Sequence, residues 1–319
     1  MDLILDFERP IVELRERVQQ LRDLQVLNGV DLSASIKQLE VQCVKIERAI
    51  FKQLTPWQRT LLSRHPGRPY TLDYVAGLFT EWTELHGDRA GHDDAAIVSG
   101  LARFRDLPVA VIGHQKGRNT KQNLYRNFGM ARPEGYRKAL RIMKLAQDFD
   151  LPVICFIDTS GAYPGIDAEE RGQAEAIARN IFEMSRLRVP IISIVIGEGG
   201  SGGALAIGVA NRVLMLENAT YSVISPEGCA AILWRDRAEG PRASEALRIT
   251  ATDCLGFEIV DELIPEPFGG AHRHSEQVLE TVGEVLQRHL SELCEMDKDK
   301  LTAHRYDRFR KLGRLTEAQ

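Results

Sequence analysis

No C-x-x-C pair occurs in this chain of 319 residues, and its five cysteines, Cys43, Cys155, Cys229, Cys254 and Cys294, are odd in number and widely spread. That spacing argues against a disulfide scaffold or a cysteine-held zinc and predicts reduced structural thiols. No apolar run approaches the roughly 20 residues that a membrane-spanning helix needs. The opening residues, Met1-Asp2-Leu3-Ile4-Leu5-Asp6-Phe7-Glu8, carry acids where a signal peptide carries bases, so a cytoplasmic location is expected. Charge is also nearly balanced: a formal net charge of -4 gives no overall footprint for nucleic acid or an anionic membrane. What is present is a chain 44% hydrophobic and 27% charged, enough for one sizeable domain with an appendage or for two ordinary ones.

The stretch from Pro190 to Ile207 organises the rest. Ile191, Ile192, Ile194, Val195 and Ile196 form a β-branched run that is apolar on both faces, as a covered parallel strand requires. Five glycines among the seven residues from Gly197 to Gly203 then strip the chain of side chains, and Ala204-Leu205-Ala206-Ile207 is expected to open a helix. Bare amides at that bend can hold a phosphate, or an oxygen that becomes negative during a reaction.

Upstream, Ile11, Leu14, Val18 and Leu21, and after Asn28-Gly29 the set Ile36, Leu39, Cys43, Ile46 and Ile50, predict a helical hairpin with coiled-coil spacing. Thr55-Pro56 marks a helix start running through Trp57 and Leu61. Leu72, Val75, Phe79 and Trp82 predict an amphipathic helix ending at His86-Gly87. Strands are expected at 96–98 and 107–113, joined through Arg105-Asp106. Pro108, Pro152 and Pro190 recur 44 and 38 residues apart, each opening an apolar strand. Helices are expected between them, at 133–149 and 168–187. The result is a repeated strand-loop-helix unit that winds an α/β fold with a parallel sheet. Further strands fall at 213–217 and 221–224, helices at 226–234 and 275–293, and a charged, loose tail beyond Asp297. The expected division is a helical segment 1–70, a main domain 71–294 and the tail 295–319.

Parallel strands bind ligands at their carboxyl ends, so the loops 113–118 and 158–165 should converge with the glycine nest. The nest satisfies three patterns. Gly197, Gly199 and Gly202 meet the dinucleotide fingerprint with Glu217 as ribose acid, but Ala204 to Ala210 is too short for the crossover helix. Gly199, Ser201 and Gly203 meet the hydrolase elbow, with His272 or His274 and Asp253 or Asp261 as partners, although His272 lies in a flexible Gly-Gly-Ala-His-Arg-His loop. The third uses no side chain: amides near Gly202 and Gly203 donate to an oxyanion, one such donor lowering a barrier by roughly 3 kcal/mol. Glu198 and Glu227 are the acids nearest the nest, expected to serve as structural hydrogen-bond partners. The stretch Lys116, Arg118, Lys121, Arg126 and Arg132, broken by Tyr125 and Phe128, is expected to be a solvated loop facing an anionic ligand or carrier rather than nucleic acid.

The segments 158–165, 168–173, 197–203 and 221–229, with 68–74, 113–118, 264–267 and 269–273, together resemble the alpha subunit of bacterial acetyl-CoA carboxylase carboxyltransferase over most of the chain. Ser160 stands where that family usually has proline, which bears on local stiffness alone. The resemblance implies a crotonase-like spiral fold. It also implies transfer of a carboxyl group from carboxybiotin on the biotin carboxyl carrier protein to acetyl-CoA, giving malonyl-CoA. Implied partners are a zinc-containing beta subunit, in an alpha2beta2 heterotetramer, and biotin carboxylase; no metal is implied in this chain. Carried over by position, Gly202 and Gly203 would stabilise the ureido oxyanion of biotin, and the freed biotin anion would take the proton from acetyl-CoA. Gly161, Ala162, Tyr163, Gly165, Gly199, Gly200 and Ala204 would line the biotin side of the cleft. Two other enzymes remain open, a stand-alone acyl-CoA hydratase or isomerase with Glu227 as base and a serine hydrolase at Ser201. So does a non-catalytic scaffold.

Overall fold

The computed structural model describes residues 3–313. Two long helices, α1 (Arg9–Asn28) and α2 (Ser33–Lys52), form the hairpin that the heptad spacing predicts, turning at Gly29 in the left-handed conformation. Leu5, Ile11, Cys43, Phe51, Leu54 and Leu62 close its base. In α3 (Pro56–Ser63) the Thr55 hydroxyl accepts from the Gln58 amide, the expected cap. The next helix, α4 (Thr71–Leu78), is shorter than expected: Phe79–Glu84 is a strand, β1, paired antiparallel with β2 (Ile97–Phe104). Phe79 and Trp82 fit a helical stripe by spacing, but their extended backbone is fixed by a distant partner strand, which local periodicity does not register. A hairpin at Arg105-Asp106 leads into β3 (Leu107–His114).

The parallel part follows. Short α5 (Thr120–Tyr125) and α6 (Pro133–Asp148) lead to β4 (Val153–Thr159), and β5 (Ile191–Gly200) runs beside it. The single helix expected at 168–187 is two, α7 (Ile166–Glu170) and α8 (Gln173–Arg186), broken where Gly172 takes a φ of 83°. All seven residues of β4 and all ten of β5 are buried, as strands covered on both faces must be. The first four residues of the glycine nest are therefore strand. The helix after it, α9 (Ser201–Leu205), begins three residues earlier than expected and lasts barely more than one turn.

The chain continues through β6 (Arg212–Leu216), β7 (Thr220–Ser222), α10 (Pro226–Trp234), α11 (Gly240–Leu247), α12 (Ala251–Gly256), β8 (Glu262–Ile264) and α13 (Ser275–Cys294). The sheet order is β1-β2-β3-β4-β5-β6-β8. β5 is long enough to pair with β6 near its start and with β7 at Glu198 to Gly200, so its glycine end lies between two layers of backbone. The charged tail is not loose within the described residues: Lys298–Arg310 is a helix, α14. Arg305, fully buried, donates to the carbonyls of Met184, Leu187 and Val189 and to Asn211, at 2.7 to 2.8 Å. A cation in a polar tail becomes an anchor because the carbonyls between the end of α8 and the start of β5, with the Asn211 side chain, need a donor. Residues 314–319 of the expected tail lie outside the described residues.

Candidate functional site

β3, β4 and β5 end at one edge; the loop beyond β4 meets the turn beyond β5 at Gly203, and the loop beyond β3 reaches Asp158 and Glu198 through Lys116. A β-carbon there would lie 2.6 Å from the Gly161 carbonyl carbon and 2.7 Å from the Ala162 nitrogen, so the two backbones touch with no room for a side chain. Gly200 is equally constrained, its β-carbon falling 2.2 Å from the Ser160 carbonyl oxygen. Gly199 instead packs toward β7, against Tyr221 at 2.7 Å, and Gly165 packs against the Tyr163 ring. Gly202 has space, with Ile177 at 3.5 Å, and Ala204 is buried beneath the turn.

The amides can be accounted for one by one. Gly161 donates to Thr159 Oγ1 and Tyr163 to the Ala131 carbonyl, so neither is open to a ligand. The Tyr163 ring lies under the Arg132 guanidinium at 4.5 Å. The N–H groups of Ser201, Gly202 and Gly203 start a helical turn and have no preceding helical carbonyl to reach. No turn, loop or cap bond among the described residues takes the N–H of Gly202, Gly203 or Ala162, whereas Ser201 adjoins the pairing of Gly200 with Ser222 on β7. Gly203 faces Gly161 and Ala162 across the corner.

Ser201 sits at the strand-to-helix corner with a φ of 51°, the strained backbone that a nucleophile elbow uses. Its hydrolase partners are elsewhere. His272 bonds to Glu8, Asp253 to Thr250 and Arg248, and Asp261 to the Val213 amide and Arg308, while His274 lies against Gly269. Without a base in reach, Ser201 is not activated. The dinucleotide pattern also dissolves: Gly197 and Gly199 are strand residues, and Glu217 accepts from the Glu266 amide.

Beside the nest runs a ladder of charge in which Glu198 and Glu227 are the expected structural hydrogen-bond partners, while Arg64 and Asp158 are members that sequence reading missed. Lys116 Nζ donates to Asp158 at 2.6 Å and lies 3.6 Å from Glu198. Arg64 Nε donates to the other oxygen of Glu198 at 2.7 Å, and its terminal nitrogens clasp Glu227 at 2.5 and 3.1 Å. Asp158 also accepts from the Glu198 amide, so the ladder ties β4 to β5 at the start of the glycine nest. Burial pulls the Lys116 pKa down, but the carboxylates of Asp158 and Glu198 outweigh it and the ammonium is favoured. Burial likewise pushes Glu227 upward, yet the hydrogen bonds and charge of Arg64 hold it below the usual carboxylate range. A carboxylate so held is a poor proton acceptor, which disfavours Glu227 as a hydratase base. An open cleft of about 570 Å3 lies against Arg64, Ser160, Glu198, Ser225 and Glu227. The available signal was Asp158 at the end of a wholly apolar strand, since a buried charge demands a partner.

The expected solvated basic loop is largely an internal brace. Lys116 is in the ladder; Arg118 lies 4.1 Å over Tyr70 and bonds to Asp73; Arg126 bonds to the Ala95 carbonyl and Arg132 to Asp167. Glu8, His65 and His272 also converge. In that cluster, His65 Nδ1 accepts from the Gly67 amide, which leaves Nε2 as the N–H donor to Leu3 O, so neither nitrogen is free to ligate. Glu8 is buried against His272 and Arg273. Burial alone would raise its pKa, but those two partners bring it to about 2, making the cluster an ionic clamp on the N-terminal segment.

With this geometry in place, comparison with known proteins is direct. The family model described as acetyl co-enzyme A carboxylase carboxyltransferase-like matches residues 4–313. The chain is 56% identical over 312 residues to the acetyl-coenzyme A carboxylase carboxyl transferase subunit alpha of Geobacillus kaustophilus, covering 98% of this chain and 96% of that one. It is 55% identical over 318 residues to the subunit of the same name from Syntrophotalea carbinolica, covering 99% and 100%. Among solved structures, a malonate decarboxylase heterodimer from Pseudomonas superposes with a TM-score of 0.56 at 18% identity, over 69% of this chain and 89% of that one. The transcarboxylase 12S core gives 0.54 at 22% identity, over 67% and 41%. The structural likenesses establish the crotonase-like fold, and the sequence matches establish the rest: the chain belongs to the acetyl co-enzyme A carboxylase carboxyltransferase family.

Proposed function

We propose that the chain is the alpha subunit of a carboxyltransferase that moves a carboxyl group from carboxybiotin to acetyl-CoA, giving malonyl-CoA, and that it forms the biotin side of the cleft. The observation that carries this reading is the contact of Gly203 with Gly161: it keeps side chains out of a corner where no turn, loop or cap bond takes the N–H groups of Ala162, Gly202 and Gly203. A flat ureido group whose oxygen accepts hydrogen bonds fits donors that have no β-carbon in front of them. Carboxybiotin, when bound, supplies the carboxyl group and a ureido oxygen that becomes negative as the group departs.

The Gly202 and Gly203 amides would orient that oxygen and stabilise its charge, and Ala162 would add a third donor from the facing loop. Tyr163, fixed under Arg132, would wall the cleft and exclude water rather than donate. The ladder from Asp158 to Glu227 holds the ends of β4 and β5 in register, so the donors are set before the substrate arrives. Glu227, a carboxylate at the cleft, is held ionised by Arg64, which fits a reaction whose proton acceptor comes with the substrate. The acceptor substrate would be presented by a zinc-containing beta subunit, in an alpha2beta2 assembly served by the carrier protein and biotin carboxylase. Among the described residues no helix is long and apolar enough to cross a membrane. The test is co-expression with that partner, followed by an assay of carboxyl transfer from malonyl-CoA to free biotin. Transfer by the complex, and none by the isolated chain, supports the assignment; enoyl-CoA hydration by the isolated chain overturns it.

A further inference from the structure

One buried titratable group beside the nest has no part in the mechanism above. His114 closes β3, is fully buried, and has neither ring nitrogen in hydrogen-bond geometry with a described residue. It cannot back away from that position. Its carbonyl accepts from Thr71 Oγ1 at 2.5 Å. One residue earlier, a β-carbon on Gly113 would fall 2.4 Å from the same oxygen and 3.0 Å from Phe156 Cβ, so the strand end is wedged on both sides. What the ring faces from the elements around it are the backbone of Phe156 on β4, the backbone of Gly203 in the nest, and the charge of Lys116. Both backbone groups favour a proton on the ring, as carbonyl acceptors do. Burial, reinforced by Lys116, overrides them and brings the pKa down to about 3. The ring is therefore neutral at physiological pH, with one N–H for two acceptors.

We infer that His114 is the positioning residue of the glycine nest, its single ring N–H placed between the backbone acceptors of Phe156 and Gly203 so that it can steady the Gly202 and Gly203 amides once the nest engages its ligand. This rests on the carboxyltransferase reading of the nest. At rest the N–H completes neither bond. A displacement of the Gly203 peptide toward the ring completes one, and that bond strengthens as the nest tightens on developing charge. Stabilisation gained only then registers in kcat and leaves KM alone.

A variant series in the assembled complex with the beta subunit tests this, with malonyl-CoA and free biotin as substrates. His114→Leu fills the space without a donor. His114→Asn and His114→Gln place an amide N–H near the positions of Nδ1 and Nε2. The expected result is a kcat loss of about 10- to 100-fold for the leucine variant with KM within about two-fold, and recovery to within about five-fold by one of the amides. An unchanged kcat for His114→Leu overturns the inference. So does equal loss in all three variants accompanied by failed assembly, which makes His114 a plain core residue. Should no variant fold, histidine 15N spectra of the wild-type complex decide: a neutral ring whose N–H resonance moves on adding biotin supports the role, and an unmoved resonance overturns it. If the wild-type complex fails to transfer a carboxyl group at all, the fault lies with the proposed function, and the spectra still report on His114.

Discussion

A β-carbon placed on Gly203 would stand 2.6 Å from the carbonyl carbon of Gly161, whereas one placed on Gly202 would meet only Ile177, at an ordinary 3.5 Å. Neighbouring glycines in one nest thus have different reasons to be glycine. Gly203 is required by the close approach of two backbones. Gly202 is required by nothing in the fold, because alanine keeps the N–H and fits the space. Gly202→Ala should therefore hold or raise stability, by up to about 1 kcal/mol from helix propensity, and keep carboxyl transfer within about three-fold. Thermal unfolding and the malonyl-CoA assay check this.

Ser201 is the strained residue of the corner, with a φ of 51° and no hydrogen bond from its hydroxyl among the described residues. Relief of a left-handed backbone is worth about 1–2 kcal/mol, partly offset by the greater freedom of glycine when unfolded. Ser201→Gly should accordingly stabilise the chain by about 0.5 to 1 kcal/mol in chemical denaturation. A loss of stability would mean that the hydroxyl has a structural partner.

Much of this was legible in the sequence. β4 and β5 announce themselves as β-branched runs opened by proline, and the hairpin by its heptads, since those patterns encode burial directly. Other features depend on residues far apart. Arg64 and Glu198 are separated by 134 positions, so no local pattern joins them. The same holds for Arg305, whose carbonyl acceptors at 184, 187 and 189 lie more than 110 residues upstream. Phe79 and Trp82 misled because a spacing of three is shared by a helix and by a bulged edge strand, where Glu81 takes a positive φ.

Lys116 is the hinge of the ladder, and its removal leaves Asp158 and Glu198 facing each other with one counter-charge fewer. Lys116→Met should destabilise the chain by about 3 kcal/mol, the usual cost of stranding a buried charge. Adding Asp158→Asn should recover a good part of that loss. Urea denaturation of both single variants and of the double variant measures these effects, and additive losses would argue against direct pairing.

Acid should weaken the fold partly through His114. Unfolded, the imidazole takes up a proton near pH 6.5; folded, it resists until about pH 3. The unfolded state therefore binds more protons across that interval, and stability is full above pH 6.5 and declines as pH falls toward 3. Burial lowers the pKa of His65 as well, which adds a loss of the same sign. His114→Gln should flatten stability against pH between 6.5 and 4, by up to about 1.4 kcal/mol per pH unit. An unchanged slope would show that the ring is not held neutral.

The central claim is that main-chain N–H groups, and no side-chain nucleophile, carry the chemistry at the end of β5. The most direct measurement is the kcat for malonyl-CoA-dependent carboxylation of free biotin by the complex reassembled with Ser201→Ala or with Gly203→Ala, each first shown to form the complex. The account predicts that Ser201→Ala stays within about five-fold of wild type, while Gly203→Ala, which pushes the nest off Gly161, loses about 100-fold or more. A dead Ser201→Ala complex, or a Gly203→Ala complex with wild-type turnover, would contradict it.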